Sequence, residues 1–512
     1  MSSRRQIGGV IPPTREELRD IALQYHFELG DDETEFFYDL IDSLMPSYRR
    51  IAELPEPKPI VKYPRTPGYQ PSLEDNPLRA WYWRCSVQGA PSGKLAGKTV
   101  ALKDSICLAG VPMTNGSALL DGFMPDVDAT VVERILDAGG HIIGKATCED
   151  LCVSGGSITS VPAPVRNPHN HAYSAGGSSS GSAALVVNGD VDLTLGADQG
   201  GSIRIPASLS GAVGLKATYS LIPYTGVAPL ELTVDHVGPI CRTVEDVALL
   251  LEVVAGDDPM DPRQRHPVKT EEYTKALTGD VKDLTIGVVK EGFGWGEDSV
   301  ETDAAVREAI AGFEKLGATV KEVSVPLHRD GTHVFTAILA DGLFNQVVYG
   351  NGVGFGWKGY YDTKALDYFA RSRRSVAHSF SHLYKLIILL GHYMQDRYNG
   401  HFYAKAQNQT RLVAASYDHV LQECDLLAMP TAAPQGKALP ILEDPTPEEY
   451  VAEAFSYHLN TCPMDMTGHP SVSVPCAKVD GLPVGLMLTG RMWEDATVLR
   501  GAHAFESLGM YS

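Results

Sequence analysis

The sequence predicts an α/β domain built on a mainly parallel or mixed β-sheet, preceded by a helical arm. Three observations predict it. From about residue 95 the chain alternates strand-like and helix-like segments. Its 512 residues leave room for a large domain with additions. Apolar residues make up 44 % and charged residues 21 %, the balance of a globular protein with a sizeable core.

Residues 14–54 read as two amphipathic helices. Thr14 followed by Glu17 is a capping-box pair, and Leu18, Ile21, Ala22 and Tyr25 recur at helical spacing behind it. Phe36, Phe37, Leu40, Ile41 and Leu44 form one face of the second helix, which ends near Pro46 or continues, kinked, to Leu54. Pro55, Pro57, Pro59, Pro64, Pro67, Pro71 and Pro77 then preclude regular helix or central strand. Residues 1–77 are accordingly an arm and linker, and residues 78–512 the catalytic domain. Two apolar helical faces on an arm suit packing on their own body or on a second protomer, and a homodimer is expected.

Within the domain, strands are expected at Thr99–Leu102, His141–Gly144, Asp192–Gly196, Thr285–Val289, Thr319–Val323, Asp425–Met429 and Ser471–Pro475. Helices are expected at Ala129–Ala138, Ser182–Val187 and Thr302–Leu316, with a mostly helical insertion over about 328–425. Val244–Ala255 and Leu383–Leu390 read as core helices, because neither reaches the eighteen or so apolar residues that span a bilayer.

A net charge of −20 argues against a nucleic-acid partner, which needs a concentrated basic surface. The N-terminal residues lack the apolar run of a secretory signal. Eight cysteines in a chain this long do not make a disulfide framework. A cytoplasmic protein is expected, with neither membrane nor nucleic acid as partner.

Two glycine/serine segments carry the chemistry. Ala175-Gly176-Gly177-Ser178-Ser179-Ser180-Gly181-Ser182-Ala183 runs into an apolar helix, and Asp198-Gln199-Gly200-Gly201-Ser202-Ile203-Arg204 follows a strand. A glycine-rich turn at such a junction presents consecutive N–H groups at one point, suited to an anion or a developing oxyanion. Ser202 stands at the end of that turn. A serine hydroxyl needs a base, and no Gly-x-Ser-x-Gly elbow surrounds Ser202. A lysine whose charged form is disfavoured by burial is the other solution. Lys103, closing the apolar run Val100-Ala101-Leu102, is the candidate.

Lys103-Asp104, the Gly176–Ala184 segment and the Asp198–Ala207 segment resemble the core of the amidase signature family, as does the 24-position separation of Ser178 and Ser202. Val111–Ser117, Ile142–Lys145, Gly468–Ser471 and Gly481–Gly485 extend the likeness over roughly residues 78–512. The helical arm, Glu149-Asp150-Leu151-Cys152, Asn188–Asp192, Pro223–Gly226 and Asp495–Arg500 look like the bacterial amidases that accompany nitrile hydratase and their urethane-cleaving relatives.

The resemblance implies a twisted mixed sheet flanked by helices and hydrolysis of small aliphatic or aromatic carboxamides through a serine acyl-enzyme, without metal or cofactor. It assigns Ser202 as nucleophile, Ser178 as a bridge on a cis peptide bond, and Lys103 as base. It assigns the N–H groups of Gln199, Gly200, Gly201 and Ser202 as the oxyanion hole, with Asp198 and Arg204 as loop support. Carbamate or ester hydrolysis by the same triad is the alternative, then an amidotransferase component or an inactive scaffold. The chain departs from the common pattern at Ala197-Asp198-Gln199, His169 and Ala217, which leaves leaving-group preference open.

Other features read as structural. Gly139–Ala146 nearly matches a phosphate-binding loop, but Ala146 replaces the hydroxyl residue that would hold magnesium. Cys148 and Cys152 read as small buried apolar residues rather than metal ligands. A pocket role for Trp357 or Phe355 is suggested only by the glycine-rich stretch around them.

Overall fold

The computed structural model describes residues 9–433, 438–439 and 446–511. Residues up to Pro59 and residues from Ile60 onward form two separate compact units. In the first unit, α1 (Arg15–Gln24) and α2 (Asp31–Glu53) pack on each other. Thr14 and Glu17 close a capping box, and α2 runs through Pro46 to Glu53. Arg19 ties the pair together, donating to Asp31 at 2.6 Å and Thr34 at 3.1 Å.

The proline-rich segment divides between the units. From Ile60 it belongs to the body, where Tyr69 bridges Arg84 and Arg65 pairs with buried Asp128 at 2.6 and 2.9 Å.

The body is organised on a mixed sheet, with eleven strands among the described residues. In chain order these are β1 (Trp81–Gln88), β2 (Thr99–Lys103), β3 (His141–Ala146), β4 (Leu193–Asp198), β5 (Val213–Lys216) and β6 (His236–Cys241). Then follow β7 (Thr285–Val289), β8 (Thr319–Val323), β9 (Leu426–Pro430), β10 (Ser471–Val479) and β11 (Leu482–Thr489). Across the sheet the order is β1-β3-β2-β4-β6-β5-β10-β11-β9-β7-β8. β2 runs parallel to β3 and β4, and β7 parallel to β8 and β9, while the other pairs are antiparallel.

Both faces of the sheet are covered. Every residue of β11 is buried; Gly485 lies against Ser208 on one side, and Leu488 reaches toward Gly501 in the helix Asp495–Glu506 on the other. β1, β5, β6 and β11 are absent from the strands expected from the sequence. Pro239 in β6 and Pro483 and Gly485 in β11 interrupt the apolar pattern, and pairing with neighbours holds them extended instead.

The insertion is helical as expected. Before it come α3 to α7, at Thr130–Asp137, Ser180–Asn188, Arg204–Ser210, Val244–Val254 and Val300–Lys315. Its four long helices are α8 (Leu327–Phe344), α9 (Thr363–Ser375), α10 (His382–Tyr398) and α11 (His401–Val420). Its core joins Ile338, Leu343, Leu383 and Ile387 to Leu119 and Phe123. The Leu383–Leu390 run departs from a core helix. Leu383 and Ile387 are buried, but Leu389 is 69 % exposed, because one turn of helix carries the run onto the outer face. No helix among the described residues is long and apolar enough to cross a membrane.

Candidate active site

β2 and β4 are parallel neighbours, with Leu102 opposite Leu195, so their C-terminal ends lie side by side. That register carries Lys103 to the end of β4. Its Nζ donates to Ala197 O at 3.1 Å and to Ser178 Oγ at 2.8 Å. Lys103 and Ser178 are both fully buried, and these two acceptors offset part of the cost of removing the amine from water. The Gly177–Ser178 peptide is cis. Gly177 faces Glu149 so closely that a Cβ there would lie 1.7 Å from Glu149 Oε1. Glu149 in turn accepts from Ser157 N at 2.8 Å and from Thr159 N and Oγ1 at 3.2 and 3.0 Å, and burial pushes its carboxyl up.

Ser202 lies on the turn between β4 and α5. The Ser179 N–H donates to Ser202 O at 3.1 Å, which ties this turn to the one preceding α4. The structure therefore brings Lys103, Ser178 and Ser202 to one place, with Lys103 bonded to Ser178. Among the described residues Ser202 Oγ has no hydrogen-bond partner and faces a cavity of about 50 Å³, lined by Cys152, Gln199, Gly200, Phe335 and His458. Burial lowers the His458 imidazole to about 4, so it is neutral at neutral pH.

Asp198 organises the turn. Its carboxylate accepts from the N–H of Gly201 at 2.6 Å and of Ile203 at 3.0 Å, and from Arg204 Nε and Nη2 at 3.0 Å each. This narrows the donor set expected from the sequence. The Gly201 N–H is committed to Asp198, whereas those of Gln199, Gly200 and Ser202 have no protein acceptor among the described residues. Gly201 has φ +132°, and a Cβ there would meet Thr461 Oγ1 at 2.2 Å. Thr461 donates to Gly200 O at 2.6 Å and holds the turn from above.

Arg204 is wholly buried and shared by two carboxylates, also donating to Asp465 at 2.8 Å and Ser471 at 3.0 Å. Burial alone would raise both acids. At Asp198 the charge and hydrogen bonds of Arg204 prevail and hold the carboxyl well below the usual range. At Asp465 burial and the neighbouring Asp198 charge prevail, and its carboxyl is pushed well up. Arg204 thus favours the charged form of Asp198 more strongly than that of Asp465, although it pairs with both.

Several residues of the site gave no signal in the sequence. Thr461, Phe335, His458 and Asp465 come from segments more than 130 positions from Ser202 with no motif around them. Cys152 was legible only as a buried apolar residue. It lines the Ser202 cavity, contacts Asn115 Oδ1 at 3.2 Å, and lies within hydrogen-bonding reach of Cys148 and Lys103. Hydrogen bonding with Cys148 outweighs burial and holds its thiol below the usual cysteine range. Trp357 lines a second cavity, while Phe355 is 83 % exposed. No group of three or more metal-ligating side chains occurs among the described residues.

The sequence profile of the family described as Amidase matches residues 74–499. The chain belongs to the amidase signature family. It is 41 % identical over 512 residues to an enantioselective amidase of Rhodococcus rhodochrous, a match covering 99 % of this chain and 98 % of that protein. It is 39 % identical over 417 residues to a glutamyl-tRNA(Gln) amidotransferase component of Methanosarcina acetivorans, covering 81 % and 85 % of the two chains. Among solved structures, a glutamyl-tRNA(Gln) amidotransferase component of Thermotoga maritima superposes with a TM-score of 0.69 at 28 % identity, covering 85 % and 88 %. The enzyme thus shares its α/β fold and mixed sheet with this family.

Proposed function

We propose that this enzyme hydrolyses carboxamides to carboxylic acid and ammonia or amine, with Ser202 as nucleophile, Ser178 as relay and Lys103 as base. The observation that carries the reading is the 2.8 Å bond from buried Lys103 to Ser178, beside a cavity lined by Ser202, Gln199 and Gly200, whose N–H groups have no acceptor among the described residues. Ser202 Oγ attacks the carbonyl carbon, and its proton passes through Ser178 to the Lys103 amine. The carbonyl oxygen becomes an oxyanion, held by the N–H groups of Gln199, Gly200 and Ser202. One strong donor of this kind is worth about 3–4 kcal/mol. When the C–N bond breaks, the proton returns from Lys103 to the leaving nitrogen. Water then cleaves the acyl-enzyme ester, releasing the acid and restoring Ser202. Asp198 and Arg204 shape the turn without reacting.

A stand-alone amidase is favoured over an amidotransferase component because the match to the Rhodococcus amidase spans the chain, helical arm included. Carbamates and esters enter the same acyl-enzyme route. The enzyme is proposed to be cytoplasmic and homodimeric. α1 and α2 bury only Leu18, Ala22 and Thr34, and Phe36, Phe37, Leu40 and Leu44 are exposed. The test is turnover of primary amides, an anilide, a carbamate and an ester by wild type, Ser202→Ala and Lys103→Ala. Loss of at least about 10³-fold in both variants, with a fluorophosphonate labelling only enzyme that retains Ser202, is expected. Undiminished turnover by Ser202→Ala would sink the reading.

A further inference from the structure

Two cavities lie next to each other at this site. The smaller contains Ser202. The larger, about 110 Å³, is walled mainly by apolar side chains, among them Phe123, Val347, Val353, Trp357 and Phe369. Its volume approaches that of apolar protein cavities, about 150 Å³, that take up benzene.

The wall between the two is thin. Leu151 lines the larger cavity and Cys152, the next residue, the smaller; Tyr384 and Leu383 are divided in the same way. Across the wall, Cys152 contacts Asn115 at 3.2 Å, and Gln199 Nε2 donates to Tyr224 Oη at 2.8 Å.

The larger cavity borders the segment that follows Lys103. The chain leaving Lys103 pairs with the segment that lines it: Ala228 N donates to Ser105 O at 2.8 Å, and Cys107 N to Gly226 O at 2.9 Å. Cys107, Gly226 and Ala228 all face that cavity. The smaller cavity is closed instead by Ile205, Phe335 and His458, on the side of the oxyanion turn.

An amide carries its acyl and amine parts on opposite sides of the scissile bond. The departing nitrogen has to accept the proton that Lys103 returns, so the amine part faces the lysine. We propose that the larger cavity is the leaving-group site and that it receives an apolar, aryl-sized amine. The preferred substrates are then N-substituted carboxamides with a small acyl group, rather than primary amides. Trp357 Nε1 and Thr225 Oγ1 are buried and have no hydrogen-bond partner among the described residues. They are available to a polar substituent on the amine ring.

This inference rests on the acyl-enzyme reading, and its test separates the two. Wild type, Val353→Trp and Phe369→Ala are assayed on a primary amide and an anilide of the same small acid, and kcat/KM is expressed as the anilide to primary-amide ratio. Filling the cavity with Val353→Trp is expected to lower that ratio at least about ten-fold. Enlarging it with Phe369→Ala is expected to shift preference toward a naphthyl amide over the anilide. Aniline is expected to compete with the anilide in wild type and at least several-fold more weakly in Val353→Trp. Ratios that stay within two-fold of wild type in both variants, or aniline inhibition untouched by Val353→Trp, would overturn the assignment. Should Ser202→Ala abolish turnover while the ratios stay put, the leaving-group site fails and the acyl-enzyme stands. Undiminished turnover by Ser202→Ala removes both.

Discussion

Asp198→Asn and Asp465→Asn form a matched pair, because each replaces one of the two acids that share Arg204. The guanidinium is completely buried and pairs with both. Neutralising Asp198 leaves the buried guanidinium with Asp465 alone, an acid whose charged form burial opposes, at a cost of up to about 3–5 kcal/mol. The body from Ile60 onward holds about 450 residues. At about 2.1 cal/mol/K per residue its unfolding entropy is near 1 kcal/mol/K, so the expected fall in Tm is up to about 3–5 °C. Asparagine also cannot accept from the Gly201 and Ile203 N–H groups as a carboxylate does, so kcat is expected to drop on the order of 10²-fold. Asparagine is nearly the isostere of a protonated Asp465, whose carboxyl burial pushes well up, so Asp465→Asn is expected to melt no lower than wild type at pH 7.

The pH dependence has opposite signs at the two positions. The folded Asp198 is held low, so its contribution is complete above the unfolded carboxyl value of about 3.9 and is lost as pH falls toward the folded value. The gap between wild type and Asp198→Asn is therefore flat from pH 5 to 8 and narrows only in acid. The folded Asp465 is raised, so wild type loses stability there as pH rises above about 3.9, and Asp465→Asn gains on wild type in that direction. Calorimetric scans across pH 4–8 with parallel rates check both. Equal melting of Asp198→Asn and wild type, or a larger loss in Asp465→Asn, would refute the placement of the charge.

Three further outcomes are expected. Methyl methanethiosulfonate at neutral pH should modify Cys152, whose thiol is held below the usual range, faster than Cys85, which burial pushes up to about 11; peptide mass mapping reads both sites, and faster labelling of Cys85 would contradict the lowered thiol. Gly201→Ala places a Cβ 2.2 Å from Thr461 Oγ1 at a positive φ, so kcat should fall at least about ten-fold in steady-state assays, in line with about 1–3 kcal/mol of backbone strain. Light scattering behind a sizing column should give twice the chain mass for wild type and a single chain mass for Phe37→Glu combined with Leu40→Glu; a monomeric wild type would contradict the proposed homodimer.

Local order was legible wherever short-range chemistry decides it. Val100-Ala101-Leu102 and Thr285–Val289 are apolar runs bounded by turn residues, and both form strands at the expected places. Thr14 and Glu17 cap α1 because a side-chain oxygen and a free N–H three residues apart satisfy each other whatever lies beyond. The two glycine/serine turns were equally readable, since few other residues let so many N–H groups crowd one point. The central strands β5, β6 and β11 were not. Their prolines and glycines carry little strand preference, and only sheet pairing and burial on both faces hold them.

By itself, then, the sequence determined the α/β class, the helical arm and the turns that hold Ser178 and Ser202. Tertiary structure decided the rest. Lys103 reaches Ser178 because β2 and β4 pair in parallel register, a contact across 75 positions that no local pattern encodes. Asp465 meets Arg204 across 261 positions, and the hydrogen bonds of Arg204 and of the turn favour the charged form at Asp198 over Asp465. The Gly201 N–H donates to Asp198 at 2.6 Å, and a Cβ at Gly201 would meet Thr461, a residue 260 positions away. Hydrogen-bond direction and desolvation belong to the packed chain, so they appear only once it has folded.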